Sequence, residues 1–174
     1  MFVYSRSLGD AYFSVVFDDR QRIWASAFSL KSEEEAKSTS LRGVEEPVVE
    51  PPREGKKFAM SVLRTMRTIF NGGEVDKGFE LYFDRLSDFS RKVLEVTAGI
   101  PKGKVLTYGA IGRMLKTSPR AVGGALSRNP FVLLVPCHRV VKSDGSLGGY
   151  SILGQEVKRG ILDREFGKPY SLCK

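Results

Sequence analysis

The first thirty residues alternate apolar and polar positions. Tyr12-Phe13-Ser14-Val15-Val16-Phe17 and Ile23-Trp24-Ala25-Ser26-Ala27-Phe28 carry the period of two of half-buried strands, and Asp18-Asp19-Arg20-Gln21 between them has turn chemistry. A β-hairpin follows from that pattern. Ser32 ahead of Glu33, Glu34 and Glu35 has the form of an N-cap with acids in the first turn, which predicts a short helix reaching Lys37. Residues 43–55 hold Pro47, Pro51 and Pro52 among acids and predict a loop or short edge strand. The period then lengthens. Phe58, Val62, Met66 and Ile69 fall on one face of a helix over 56–70, with Lys57, Arg64 and Arg67 off it and Asn71-Gly72-Gly73 as its stop.

Residues 78–83 predict an extended connector, and Phe89, Val93, Leu94 and Val96 a helix over 87–97 broken by Gly99-Ile100-Pro101. Two short helices come next. One spans 107–115 with Ile111, Met114 and Leu115 turned inward; the other spans 119–128, where Ser118 caps and Pro119 suits the first helical position. Joined across 116–118, they match the helix–turn–helix pattern. Phe131-Val132-Leu133-Leu134-Val135 reads as a buried strand, ended by Pro136, which has no N–H to donate. A last helix over 155–166 buries Val157, Ile161 and Leu162. The expected architecture is an α/β N-terminal domain over 1–76 and a mainly helical domain over 77–174.

Composition narrows the class. With 174 residues, 41% hydrophobic and 28% charged, the chain can bury a proper core. No apolar run approaches the ~20 residues of a membrane helix. The start, Met1-Phe2-Val3-Tyr4-Ser5-Arg6, lacks the form of a signal peptide, so a cytoplasmic protein is expected. Two cysteines and one histidine neither build a disulfide framework nor complete a four-ligand zinc site, and no metal or cofactor is expected. Charge changes the picture more. Residues 1–76 carry 11 Lys and Arg against 12 Asp and Glu, whereas residues 77–174 carry 17 against 8. All of the basic excess belongs to the second half, which suits a polyanionic partner, nucleic acid first and a membrane surface second.

That half also holds the candidate chemistry. Cys137 stands next to His138, the only histidine, which suggests a nucleophile with its proton acceptor; the alternative is a small buried hydrophobe. Gly123-Gly124 costs the second helix roughly 1 kcal/mol per glycine relative to alanine. Either a close-packed helix or an approaching nucleic-acid backbone would explain the pair. Ala121 and Ala125 flank it and Arg120 and Arg128 stand at the helix ends, a smooth basic face suited to phosphates or a shallow groove. Glu165 lies four residues after Ile161, on the buried face of the last helix, and needs a partner. A structural partner would be Arg139 or Lys158; a functional one would be His138.

Tyr108, Arg120-Ala121-Val122-Gly123, Asn129-Pro130, Pro136-Cys137-His138-Arg139-Val140-Val141, Gly148-Gly149-Tyr150-Ser151 and Glu165 occur in the order and approximate spacing of the O6-alkylguanine-DNA alkyltransferases. The chain resembles that family over about its last hundred residues. The resemblance implies a ribonuclease-H-like N-terminal domain and a winged helix–turn–helix C-terminal domain. It implies a monomer that acts on double-stranded DNA containing O6-alkylguanine, and on O4-alkylthymine as a further substrate, by flipping the base through the minor groove. Cys137 would take the alkyl group irreversibly, activated through water by His138 and Glu165, with Tyr108 donating to the base. Arg120 would fill the gap left by the flipped nucleotide, on a DNA-binding helix with Ala121, Gly123, Gly124, Ala125 and Arg128. Asn129 would brace the turn, the Cys137 and Val140 carbonyls would accept from the base, and Tyr150 and Ser151 would line the closing loop. Ile152-Leu153 stand where many relatives have glycine, and the zinc ligands of some relatives are absent from 1–76. A non-catalytic lesion sensor of the alkyltransferase-like type and a cysteine hydrolase using Cys137, His138 and Glu165 are the competing readings.

Overall fold

The computed structural model describes residues 1–75, 78–150 and 153–170. They form two compact units. The first comprises Met1–Ile69, Val75–Phe83 and Pro130–Leu134; the second comprises Phe70–Glu74, Asp84–Asn129 and the described residues from Val135 onward. The single cut expected at 76/77, on residues outside the described set, is thus replaced by an interleaved division.

The physical reason lies in the first unit's sheet. Strands β1 (Phe2–Ser7), β2 (Tyr12–Phe17) and β3 (Ile23–Ser29) form an antiparallel meander in the order β1-β2-β3. The expected hairpin is present with one strand more. Its open edge at β3 has backbone groups that need partners. Ile23 N donates to Glu80 O (2.8 Å) and Tyr82 N to Ile23 O (2.8 Å), while Ser26 N donates to Pro130 O (2.8 Å) and Val132 N to Ser26 O (3.3 Å). Segments 78–83 and 130–134 therefore belong with this sheet. Phe131–Leu134 is buried as expected but is not a strand: Leu133 adopts φ +70°, which bends the chain after Phe131 bridges to Ser26.

Helix α1 (Glu33–Ser40) packs on the sheet, and Ser32 caps it as predicted, its hydroxyl accepting from Glu35 N at 3.1 Å. Helix α2 (Arg53–Phe70) begins three residues earlier than the periodicity indicates, since Pro52 O already accepts from Lys56 N. Its buried face is Ala59, Val62, Leu63, Met66 and Ile69. The unit's core also takes Phe13, Phe17 and Phe28.

In the second unit, α3 (Asp88–Ala98) is capped by Ser87. The two short helices expected there are α4 (Tyr108–Met114) and α5 (Pro119–Ser127), joined across a turn, with Thr107 and Ser118 as their caps, accepting from Ala110 N (3.0 Å) and Ala121 N (3.2 Å). The turn needs Gly112, which the sequence did not single out: a Cβ there would lie 2.7 Å from Thr117 O. Met114, expected inside, is 60% exposed, because so short a helix buries only Ile111 and Gly112. Strand β4 (Leu106–Thr107) pairs in parallel with β5 (Val140–Val141), and α6 (Gly154–Phe166) completes the unit. No helix among the described residues is long and apolar enough to cross a membrane.

Candidate active site

Pro136 sets the local geometry. With φ −78° and ψ 62° it turns the chain out of the Val135 segment, and Cys137–Arg139 then form one turn of 3-10 helix. Cys137 N donates to Val135 O (2.8 Å) and Arg139 N to Pro136 O (2.9 Å). His138 and Arg139 both turn to α6, where Glu165 meets them. His138 Nε2 lies 3.0 Å from Glu165 Oε1, Arg139 Nε donates to Oε2 at 2.9 Å, and Arg139 Nη2 donates to Oε1 at 2.6 Å. Arg139 Nη1 also reaches Ile100 O at 2.6 Å. The functional partner and one structural partner of Glu165 are thus both present, on one carboxylate.

The electrostatics follow from burial. Burial works to raise the Glu165 pKa, but the bonds from His138 and Arg139 outweigh it and hold the carboxyl at about 2. An ionised carboxylate only accepts, so His138 must present Nε2–H to it. Burial lowers the His138 pKa, against the raising effect of Glu165, which keeps the ring neutral near pH 7. Nδ1 is then a bare lone pair, and it has no hydrogen-bond partner among the described residues. A neutral imidazole in this tautomer can take a proton. The neighbouring Cys137 thiol is 9% exposed: burial raises its pKa, while Asn129, Lys158 and backbone donors work to lower it.

Pairing of β4 with β5 carries Tyr108, the first residue of α4, to the same place. A cavity of about 670 Å³ opens there, lined among others by Tyr108, Arg120, Gly123, Cys137, Gly148 and Tyr150. Its size is ordinary for a small-ligand site. The pKa values of both phenols are raised, first by burial and then by the charge of a Cys137 thiolate. Gly148 (φ +69°) lets the loop pass under Tyr108, since a Cβ there would lie 2.8 Å from the ring. Asn129 is buried and donates to Val135 O at 3.3 Å, across the bend before Pro136.

On α5, Arg120 and Arg128 are exposed and Ala121, Gly123 and Gly124 are partly so. Ala125 is 1% exposed, so the expected smooth face excludes it: it lies on the core side of the helix with Val122 and Leu126. The glycine pair is not demanded by a neighbouring helix. A Cβ at Gly123 would sit 3.9 Å from the Tyr108 ring, and one at Gly124 would meet only the Arg128 guanidinium at 4.0 Å.

Residues 88–166 match the family model for the DNA-binding domain of 6-O-methylguanine DNA methyltransferase. A methylated-DNA–protein-cysteine methyltransferase of Methanothermobacter thermautotrophicus is 42% identical over 116 residues, 66% of this chain and 63% of that one. The O6-methylguanine-DNA methyltransferase structure from Pyrococcus kodakaraensis is 31% identical with a TM-score of 0.71, covering 94% of this chain and 98% of that one. The chain belongs to the methylated-DNA–protein-cysteine methyltransferase family. The Mycobacterium tuberculosis OGT structure in complex with DNA is similar at 25% identity and a TM-score of 0.71, over 97% of this chain and 96% of that one. Against the first curated relatives of the methyltransferase family, the matched segment spans 46–63% of their length. The family's fold, a small sheet with helices, is the fold seen here.

The sequence offers Lys158 only as a partner for Glu165, and the structure places it differently. Lys158 is fully buried and donates from Nζ to Val140 O (2.6 Å) and Leu147 O (2.5 Å), not to Glu165. Its ammonium also lies 5.7 Å from the Tyr108 ring centroid. Burial lowers its pKa to about 8, with Cys137 opposing. The expected buried position Val157 is only half-buried; Lys158, three residues before Ile161 and seven before Glu165, takes that face. That spacing is the available signal, overridden by the rule that lysines face water. Ser151 and Cys173 lie outside the described residues.

Proposed function

We propose that the protein repairs DNA by moving the alkyl group from O6 of guanine to Cys137, once per molecule. The observation that carries this reading is the Glu165–His138 pair beside a buried thiol that opens on a cavity flanked by the helix–turn–helix. Glu165 fixes the Nε2–H tautomer, His138 Nδ1 takes the thiol proton through water, and the Cys137 sulfur attacks the alkyl carbon. The C–O bond breaks as the C–S bond forms, and the electron pair leaves on the guanine ring, where the Tyr108 hydroxyl donates to it. The thioether formed has no route back to a thiol here, so the transfer is stoichiometric.

A base inside a duplex cannot reach a thiol that is 9% exposed, which supports flipping of the nucleotide. Arg120, exposed on the cavity rim, is the residue to fill the gap, and Ala121, Gly123, Gly124 and Arg128 make up the face that meets the backbone. No clash within the protein requires either glycine, which supports a close nucleic-acid approach as the reason for the pair. Asn129 braces the bend, and Tyr150 lines the cavity, its phenol buried with no partner among the described residues. Val140 O already accepts from Lys158, and its second lone pair is the one for the guanine amine. The same chemistry extends to O4-alkylthymine. In this reading the first unit is ribonuclease-H-like, the second a winged helix–turn–helix, and the protein a cytoplasmic monomer.

The test is the protein's mass. Incubation with an excess of O6-methylguanine duplex should add one methyl group, on the peptide containing Cys137, and then stop. Release of repaired DNA beyond one equivalent would replace the stoichiometric reading with a turning-over cysteine hydrolase. Lys158→Met should keep the reaction but slow it about tenfold at neutral pH, a loss of roughly 1.4 kcal/mol, because the charge favouring the thiolate and the two carbonyl anchors go together. Single-turnover rates at pH 7 check it; an unchanged rate would leave Lys158 a mere filler.

A further inference from the structure

We propose that the turn Asn71-Gly72-Gly73 holds the Glu165 carboxylate in place, making Gly72 a positioning residue for the Cys137–His138 pair. The inference rests on the methyltransferase reading above and concerns a stretch the sequence assigns to a purely structural domain, although Phe70–Glu74 belongs to the second unit.

Gly72 has φ +76°, which alone favours glycine. It also stands close against the backbone of α6. A Cβ at Gly72 would lie 2.5 Å from Arg164 C, 2.6 Å from Arg164 O and 2.8 Å from Glu165 N. All three are main-chain atoms of the last turn of α6, so no side-chain rotation could make room. A second clasp stands beside the first. Arg164 Nε donates to Phe70 O at 2.8 Å, and its guanidinium lies 4.4 Å from the Phe70 ring centroid. Glu165 is thus gripped at its backbone by the turn and at its carboxylate by His138 and Arg139.

A side chain at position 72 must push the α6 backbone away, and the 3.0 Å contact between Glu165 and His138 Nε2 is what that displacement loosens. His138 then loses the partner that fixes its tautomer. The groups acting on its ring are Glu165 and Lys158 from α6 and Arg139 from its own turn. Helix α3 also packs on that turn, but its buried residues, Val93, Leu94 and Thr97, carry no titratable group. The 71–73 turn brings none either, and Glu74 beyond it is exposed.

Because His138 is the only histidine, its ring is a single, assignable signal. Nitrogen-15 spectra of the full-length protein at neutral pH should show the wild-type ring protonated at Nε2. Gly72→Ala should gain the Nδ1–H tautomer and lose about tenfold in single-turnover rate with O6-methylguanine duplex at neutral pH, because an Nδ1 that already carries a proton cannot take the one from the thiol. Arg164→Leu, which changes an exposed side chain and should fold even where Gly72→Ala does not, should show the same change to a smaller extent. Gly167→Ala is the control. That glycine has φ +66° at the end of the same helix, but a Cβ there would meet no atom of the described residues within 4 Å, so it shares the backbone strain without the push and should keep the wild-type spectrum and rate. Identical ring spectra in all four proteins would overturn the positioning role. Failure of the wild type to take up methyl would overturn the repair reading instead, with the spectra still deciding the role of Gly72.

Discussion

Cys137→Ala should take up no alkyl mass from an O6-methylguanine duplex, while its melting temperature moves by only a few degrees. The thiol is the one soft nucleophile in the site among the described residues, and a thiolate is what attack at an sp³ carbon requires. Folding asks less of it. As a small buried side chain it contributes packing, and losing one sulfur costs on the order of 1 kcal/mol, or ~2–4 °C in a chain of this size. Intact-protein mass and a thermal melt read the two effects separately. Undiminished methyl uptake at another residue would remove Cys137 from the mechanism.

Glu165→Gln should damage both stability and transfer. Arg139 is 5% exposed, and two of its nitrogens lean on this carboxylate. Breaking a buried ion pair from one side costs about 3–5 kcal/mol, because the remaining charge stays buried without its counterion. For a chain of this size that is a fall in melting temperature of roughly 10 °C or more. A glutamine can still accept from His138, but it no longer offers the negative charge that keeps the ring basic, so the rate should drop as well.

The pH dependence of that loss has a definite sign. The Glu165 carboxyl titrates near 2 in the folded protein against 4.5 ordinarily, a depressed pKa. Its contribution to stability is therefore complete above pH 4.5 and disappears as pH falls from there toward 2. The stability gap between wild type and Glu165→Gln should be constant from pH 5 to 7 and narrow at pH 3. Other carboxylates with lowered pKa values, such as Asp18 with its bonds from Arg22 and Trp24, are common to both proteins and cancel in the difference. Urea melts at pH 3, 5 and 7 measure it, and a gap that does not narrow would contradict an ionised Glu165.

Much of the chain is legible because the rules that shape it are local. Alternation marks β2 and β3, a 3.6-residue period marks α2, and Ser32 and Ser118 cap the helices that follow them, since each cap is satisfied within three residues. The Pro136–Val141 stretch and its resemblance single out Cys137 as the candidate nucleophile for the same reason: the signal is contiguous. Burial of Phe131–Leu134 is legible too, but its shape is not, because a left-handed Leu133 answers to the open edge of β3 and to nothing in its own sequence. Nor does the chain say which side of α5 faces the core, which is why Ala125 reads as part of the exposed face and is in fact buried. Local order along the chain was enough for the elements, their caps and the identity of the thiol. Packing alone settled that Glu165 serves His138 and Arg139 together, that Lys158 is buried on Val140 and Leu147, and that Gly72 touches the backbone of Glu165. Those contacts join residues 11 to 93 positions apart. A contact across such a separation is set by how surfaces meet, which no local preference along the chain encodes.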